Sequence, residues 1–111
     1  MLQKSSINSE ELESLLRSRA QGEIDFILVD VREQIEYDVG HIRGVDMLRP
    51  TSNFSGWAEA LFNETKDKTV IFTCRTGSRS GQVQMIFKHN GHQHAVNHAG
   101  GIVTYRGETE K

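Results

Sequence analysis

Cys74-Arg75-Thr76-Gly77-Ser78-Arg79-Ser80-Gly81 is the segment of this chain best equipped for chemistry. It follows the apolar run Val70-Ile71-Phe72-Thr73 and precedes a stretch with helical character from Ser78 to His89. Gly77 permits a tight backbone turn, and a helix start aims free N–H groups into it. Successive N–H groups of this kind form a nest for an anion. The helix macrodipole adds partial positive charge. Arg79 closes the loop with a planar cationic fork. An unperturbed thiol has a pKa of about 8.5, which falls to roughly 3.5–7.5 beside helix N-termini and arginines. The thiolate is the nucleophile, and the same N–H donors suit a covalently attached anionic group. Cys74 is therefore the candidate nucleophile. Arg75, Thr76, Gly77, Ser78, Arg79 and Ser80 form its candidate cradle. A buried, inert cysteine is the alternative, and the two arginines and the glycine turn count against it.

Three further groups bear on such a site. Asp30 and Arg32 stand where the apolar run Phe26–Val29 ends in charge. Charges beside a buried strand need partners. The pair is expected to brace the active-site loop, through its backbone or an arginine; a local ion pair among Asp30, Arg32 and Glu33 is the alternative. Arg49 falls near the carboxyl end of a short strand, a candidate for the pocket rim against a solvated surface arginine. His89, His92, His94 and His98 crowd one stretch. His92 and His94 alternate and would face opposite sides of a strand. No cysteine or spaced carboxylate completes a ligand set. A solvent-facing loop is expected, with no metal site.

The elements that must position these residues follow from the pattern. Ser9–Leu16 opens as a helix, capped by Asn8 or Ser9, with Leu12, Leu15 and Leu16 on one face and Gly22 as a stop. Phe26–Val31 is apolar without alternation, as a strand buried on both faces of a parallel sheet would be. Glu33–Val39 is a short helix ended by Gly40. Val45–Leu48 is a short strand and Trp57–Phe62 a helix, with Trp57 packed in the core. Val70–Thr73 is a second buried strand, and Ser78–His89 a helix closed by Asn90-Gly91. Ala95-Val96 is a last strand and Ile102–Tyr105 a last helical turn. This alternation predicts an α/β fold with a mostly parallel central sheet and helices on both faces. In such sheets ligands bind beyond the carboxyl ends of the strands, where Asp30 and Cys74 both fall.

Composition narrows the classes. The 111 residues fit one domain, with a motif-bearing core over about residues 9–107. The single cysteine allows no intrachain disulfide and no cysteine zinc cage. A net charge of −2 suggests neither a nucleic-acid nor a membrane partner. No apolar run approaches the roughly 18 residues of a membrane span. Met1–Ser6 lacks the apolar region of a secretory signal, so a cytoplasmic location is expected.

Four segments together resemble the rhodanese (sulfurtransferase) family over about Ser9 to Gly107. Leu28-Val29-Asp30-Val31-Arg32-Glu33 is similar to its first strand motif. Glu36-Tyr37 and Gly40-His41-Ile42-Arg43-Gly44 resemble its Gly-His-Ile-x-Gly segment. Cys74–Arg79 resembles its active-site loop, and Asn97-His98-Ala99-Gly100-Gly101-Ile102 its closing glycine pair. Arg49-Pro50 departs from the family's usual Asn-x-Pro. The resemblance implies a rhodanese-like fold and cofactor-free sulfur transfer. Cys74 would take sulfur from a small anionic donor, thiosulfate or polysulfide, as a persulfide. Cyanide, a thiol or a partner protein's cysteine would accept it. Thr76 and Ser78 hydroxyls would reach the terminal sulfur. It further implies an architectural His41 and places His98 at the pocket rim. Phosphatases and arsenate reductases of the same fold have five residues between cysteine and arginine; here there are four, and the fifth place would hold Ser80. A non-catalytic interaction or regulatory module of this fold is another alternative, although such domains typically lose the cysteine, and a persulfide carrier that passes sulfur to a protein partner is a third.

Overall fold

The structure, a computed structural model, describes residues 4–111. Among them, five strands form one sheet in the order β1-β6-β5-β2-β4, every neighbouring pair parallel. These are β1 (Ser6–Ile7), β2 (Ile27–Asp30), β4 (Met47–Leu48), β5 (Val70–Thr73) and β6 (Ala95–His98). A separate antiparallel pair joins β3 (His41–Ile42) to β7 (Thr109–Glu110). The helices are α1 (Ser9–Ala20), α2 (Gln34–Val39), α3 (Phe54–Thr65) and α4 (Ser78–His89).

The sheet divides two apolar layers. Val29, Val70 and Phe72 face one way and pack with Trp57 and Leu61 of α3 and Val83 and Phe87 of α4. Leu28, Ile71 and Val96 face the other way, against Leu12, Leu15 and Leu16 of α1. Strand residues point alternately to the two faces, so a strand covered on both sides is apolar along both. β5 meets that demand with Val70, Ile71 and Phe72 and ends in Thr73, whose buried hydroxyl finds a partner in His98. The α/β fold and its mostly parallel sheet with helices on both faces are thus as the pattern predicts.

Local signals account for the element ends. Asn8 caps α1: its side chain accepts the Glu11 N–H at 2.8 Å, and Glu11 accepts the Asn8 N–H at 3.1 Å. This reciprocal pair settles the choice between Asn8 and Ser9. α4 runs from Ser78 to His89 as expected. β4 is shorter than the expected strand, α3 starts earlier, and β6 extends two residues further, to His98. Trp57 is buried, its Nε1–H donating to the Pro50 carbonyl at 2.7 Å. No helix among the described residues is long and apolar enough to cross a membrane.

Candidate active site

Alternation along β5 carries Cys74 onto the same face as Val70 and Phe72, under the N-terminus of α4. The residue is 1% exposed. Its Sγ accepts from the Gly77 N–H at 3.1 Å, the Ser80 N–H at 3.4 Å and the Ser80 hydroxyl at 3.3 Å. Helix N-termini usually satisfy such donors with the side chain of the N-cap residue. The N-cap of α4 is Gly77, which has no side chain to offer. Cys74 Sγ therefore takes the acceptor place at this helix start. Gly77 has φ 96°, and a Cβ there would collide with the Ala99 carbonyl. Only glycine meets both conditions.

The sulfur is poised between opposing influences. Burial pushes the thiol pKa up. The Ser80 hydroxyl and the N–H groups of Ser80, Gly77 and Thr76 outweigh it, and the pKa lies below the ordinary thiol value. Hydrogen bonds to the charged form favour that form.

Arg79 is held by α2. Its Nη1 and Nη2 donate to Glu36 Oε1 at 2.7 Å and Oε2 at 2.9 Å. This paired geometry fixes the guanidinium plane. The Arg79 hydrogen bonds bring the Glu36 carboxyl down to about 2, and Glu36 raises the Arg79 pKa in return. Glu36 Oε1 also accepts the Glu33 N–H at 3.0 Å, which ties it to its own helix start. Glu36 was legible only as part of a motif; its carboxylate position, next to a loop 43 residues away, was not.

Asp30 and Arg32 require a correction. They form a buried ion pair with each other: Arg32 Nη2 and Nε lie 2.9 and 3.0 Å from Asp30 Oδ2. Neither bonds to the Cys74 loop. Arg32 donates instead to the Gly40 carbonyl at 2.8 Å and the Glu36 carbonyl at 3.4 Å. Two positions apart on extended chain, the side chains share a side and meet directly. Arg32 is thereby tied to α2, whose Glu36 clasps Arg79 of the loop.

The rear of the loop is pinned by backbone. Ile102 N–H donates to the Cys74 carbonyl at 2.9 Å and Val103 N–H to the Arg75 carbonyl at 3.1 Å. Asn97 Nδ2 donates to the Gly77 carbonyl at 3.2 Å. Gly101, φ 67°, lies so close that a Cβ would strike the Arg75 carbonyl. With its carbonyls held outward, the loop turns its N–H groups toward the sulfur. Asn97 was missed in this role; its place beside β5 on β6 was the available signal.

The remaining candidates separate clearly. Arg75, Thr76 and Ser78 are exposed at the mouth. The hydroxyl that reaches Sγ is that of Ser80, which is buried. Arg49 lies beyond β4, two strands from β5 in the sheet, its Nη1 on the Leu48 carbonyl at 2.8 Å. His98 is not at the rim: it is 0% exposed, behind the sheet end, between Thr73 and Ser9. His92 is likewise not in a solvent-facing loop. Its ring packs near Phe62 and Phe87, with Nε2 at 3.1 Å from Thr65 Oγ1 and Nδ1 accepting the His94 N–H at 3.2 Å. Hydroxyl and N–H partners permit such burial. His41 stacks on Tyr37 and its Nδ1 meets the Tyr37 carbonyl at 3.1 Å, an architectural place. Among the described residues no group of three histidine, cysteine or acidic side chains is placed to hold a metal.

The chain is similar to known proteins over most of its length. Residues 10–108 match the model of the rhodanese-like domain. A probable adenylyltransferase/sulfurtransferase, MoeZ, of Mycobacterium tuberculosis is 36% identical over 78 residues, which are 70% of this chain and 19% of that protein. A tRNA uridine(34) hydroxylase of Cronobacter sakazakii is 31% identical over 84 residues, 73% of this chain and 24% of that one. The chain thus spans about a fifth to a quarter of these relatives. Among solved structures, a rhodanese-like domain protein of Staphylococcus aureus superposes with TM-score 0.74 at 27% identity, covering 95% of this chain and 94% of that one. The human single-domain sulfurtransferase TSTD1 superposes with TM-score 0.67 at 28% identity, covering 91% and 94%.

Proposed function

The chain belongs to the rhodanese-like domain family, and from that premise we propose that it is a sulfurtransferase working through a persulfide on Cys74. The observation that carries this reading is the set of three hydrogen bonds converging on Cys74 Sγ at an otherwise uncapped helix start. They favour the thiolate that attacks, and they suit an anionic group built outward from the same atom.

With thiosulfate as donor, the Cys74 thiolate attacks the outer sulfur. The S–S bond of the donor breaks, and sulfite leaves with its electron pair. Cys74 then carries a persulfide anion. A polysulfide reacts in the same way, with the shortened polysulfide leaving. Cyanide or a thiolate attacks the terminal sulfur, the new S–S bond breaks, and the Cys74 thiolate returns. One nucleophile performs both displacements, and no cofactor takes part. The exposed Arg75 draws the anionic donor, with Arg49 adding charge along the same sheet edge. In this reading the exposed Thr76 and Ser78 hydroxyls serve the terminal sulfur, and the buried Ser80 hydroxyl serves Sγ. Arg79, clasped by Glu36, orders the loop.

These 111 residues hold no second cysteine, so in this reading the acceptor comes from outside the domain. The lone free thiol fits a reducing compartment such as the cytoplasm. A phosphatase reading is disfavoured by the four residues between Cys74 and Arg79. Cyanide-dependent thiocyanate release from thiosulfate and from polysulfide tests the proposal. Turnover lost in Cys74→Ser is expected. Hydrolysis of a phosphate ester without any sulfur transfer would overturn it.

A further inference from the structure

His98 ends β6 with no surface exposed, and the sulfur chemistry makes no use of it. Its ring nitrogens each meet one hydroxyl. Nδ1 lies 2.8 Å from Thr73 Oγ1 and Nε2 lies 2.7 Å from Ser9 Oγ. Ser9 Oγ lies 2.7 Å from Thr104 Oγ1, which donates to the Gly101 carbonyl at 3.0 Å.

The proton directions follow from counting. A hydroxyl has one proton to give. Thr104 gives its proton to the Gly101 carbonyl, so it can only accept from Ser9. Ser9 gives its proton to Thr104, so it can only accept from His98 Nε2–H. The neutral imidazole then carries its proton on Nε2, and Nδ1 accepts from Thr73. The chain runs one way, from Thr73 through His98, Ser9 and Thr104 to Gly101. No carboxylate bonds to the ring. Tyr105 stands edge-on to it, with ring centroids 6.3 Å apart. The neutral form suits these partners, and burial lowers the His98 pKa to about 4.

Both ends of the chain touch the Cys74 loop. Thr73 is the residue before Cys74. At the other end is the turn from Gly101 to Thr104, whose Ile102 and Val103 N–H groups hold the Cys74 and Arg75 carbonyls. We infer that His98 is a positioning residue for Cys74, holding the loop carbonyls outward, and hence its N–H groups on the sulfur, through this one-way hydrogen-bond chain.

The test is read on Cys74 without any sulfur donor, so it stands or falls separately from the sulfur-transfer proposal. The pH dependence of Cys74 alkylation gives the thiolate midpoint in wild type, His98→Leu and His98→Gln. Leucine leaves the Thr73 and Ser9 hydroxyls without the ring; glutamine restores one donor and one acceptor. His98→Leu is expected to raise the midpoint by about one pH unit, a tenfold loss of thiolate below it, and His98→Gln to recover most of that. Nitrogen-15 spectra of wild type should show His98 protonated on Nε2. Thr104→Val cuts the chain at an exposed residue, so it tests the same link should His98→Leu not fold; a smaller rise is expected. An Nδ1–H tautomer overturns the inference. So does an unchanged midpoint in His98→Leu or Thr104→Val, or a raised one that glutamine does not restore.

Discussion

Ser80→Ala removes one of the three hydrogen bonds on Cys74 Sγ and leaves the other two, since alanine keeps the backbone N–H. The hydroxyl is the largest of the influences that lower the Cys74 pKa. A hydrogen bond to a charged group contributes about 1.5–3 kcal/mol. At 3.3 Å to a large, soft sulfur, the low end applies, about 1.5 kcal/mol. That is about one pKa unit, and the direction is upward, because the lost bond favoured the thiolate. Two effects on rate then oppose each other. Below the midpoint the thiolate fraction falls about tenfold. The more basic thiolate is intrinsically about threefold more nucleophilic, for a Brønsted slope of about 0.4–0.5. Ser80→Ala should alkylate about threefold more slowly than wild type below the midpoint and about threefold faster above it. The two pH–rate profiles must cross. Alkylation rates followed by mass spectrometry, with ultraviolet thiolate absorbance as a second readout, measure this. An unchanged or lowered midpoint, or profiles separated by one constant factor at every pH, would refute the reasoning.

Other consequences are simpler. Gly77→Ala forces a Cβ against the Ala99 carbonyl at a positive φ; a stability loss of at least about 2 kcal/mol in denaturant unfolding is expected, with persulfide formation abolished. Glu36→Gln releases Arg79 and should cost about 1 kcal/mol at neutral pH. The folded Glu36 pKa is lowered to about 2, so its contribution is complete above the ordinary carboxylate pKa and fades as pH falls toward 2; unfolding curves of wild type and Glu36→Gln should converge there. For His98 the folded pKa is lowered to about 4, so on acidification the unfolded state takes up a proton first. Wild type should lose up to about 3 kcal/mol between the ordinary histidine pKa and about 4 relative to His98→Gln, measured by denaturant midpoints across that range.

What the sequence made legible was whatever depends on neighbours in the chain. The buried strand at Val70–Thr73, the helix from Ser78 and the cysteine between them follow from apolar runs and one glycine. The short strands β1, β3 and β7 were not foreseen, because two residues carry no periodicity. Polar side chains bound to distant partners were hardest. Nothing near His98 in sequence foretells Ser9, 89 residues away, and nothing near His92 foretells Thr65, 27 residues away. His92 read as part of a solvent-facing loop and His98 as a pocket-rim residue, because the hydroxyls that make their burial tolerable come from other elements. Asp30 and Arg32 were correctly seen to need partners. Their nearest partners proved to be each other and, for Arg32, the carbonyls of Glu36 in α2 and of Gly40 at its C-terminal end.

The most direct test of the central claim is whole-protein mass spectrometry after exposure to thiosulfate or polysulfide. Wild type should gain the mass of one sulfur atom, lose it again on addition of cyanide, and show no gain as Cys74→Ser. No gain with any donor, or a gain that persists in Cys74→Ser, would contradict a persulfide carried by Cys74.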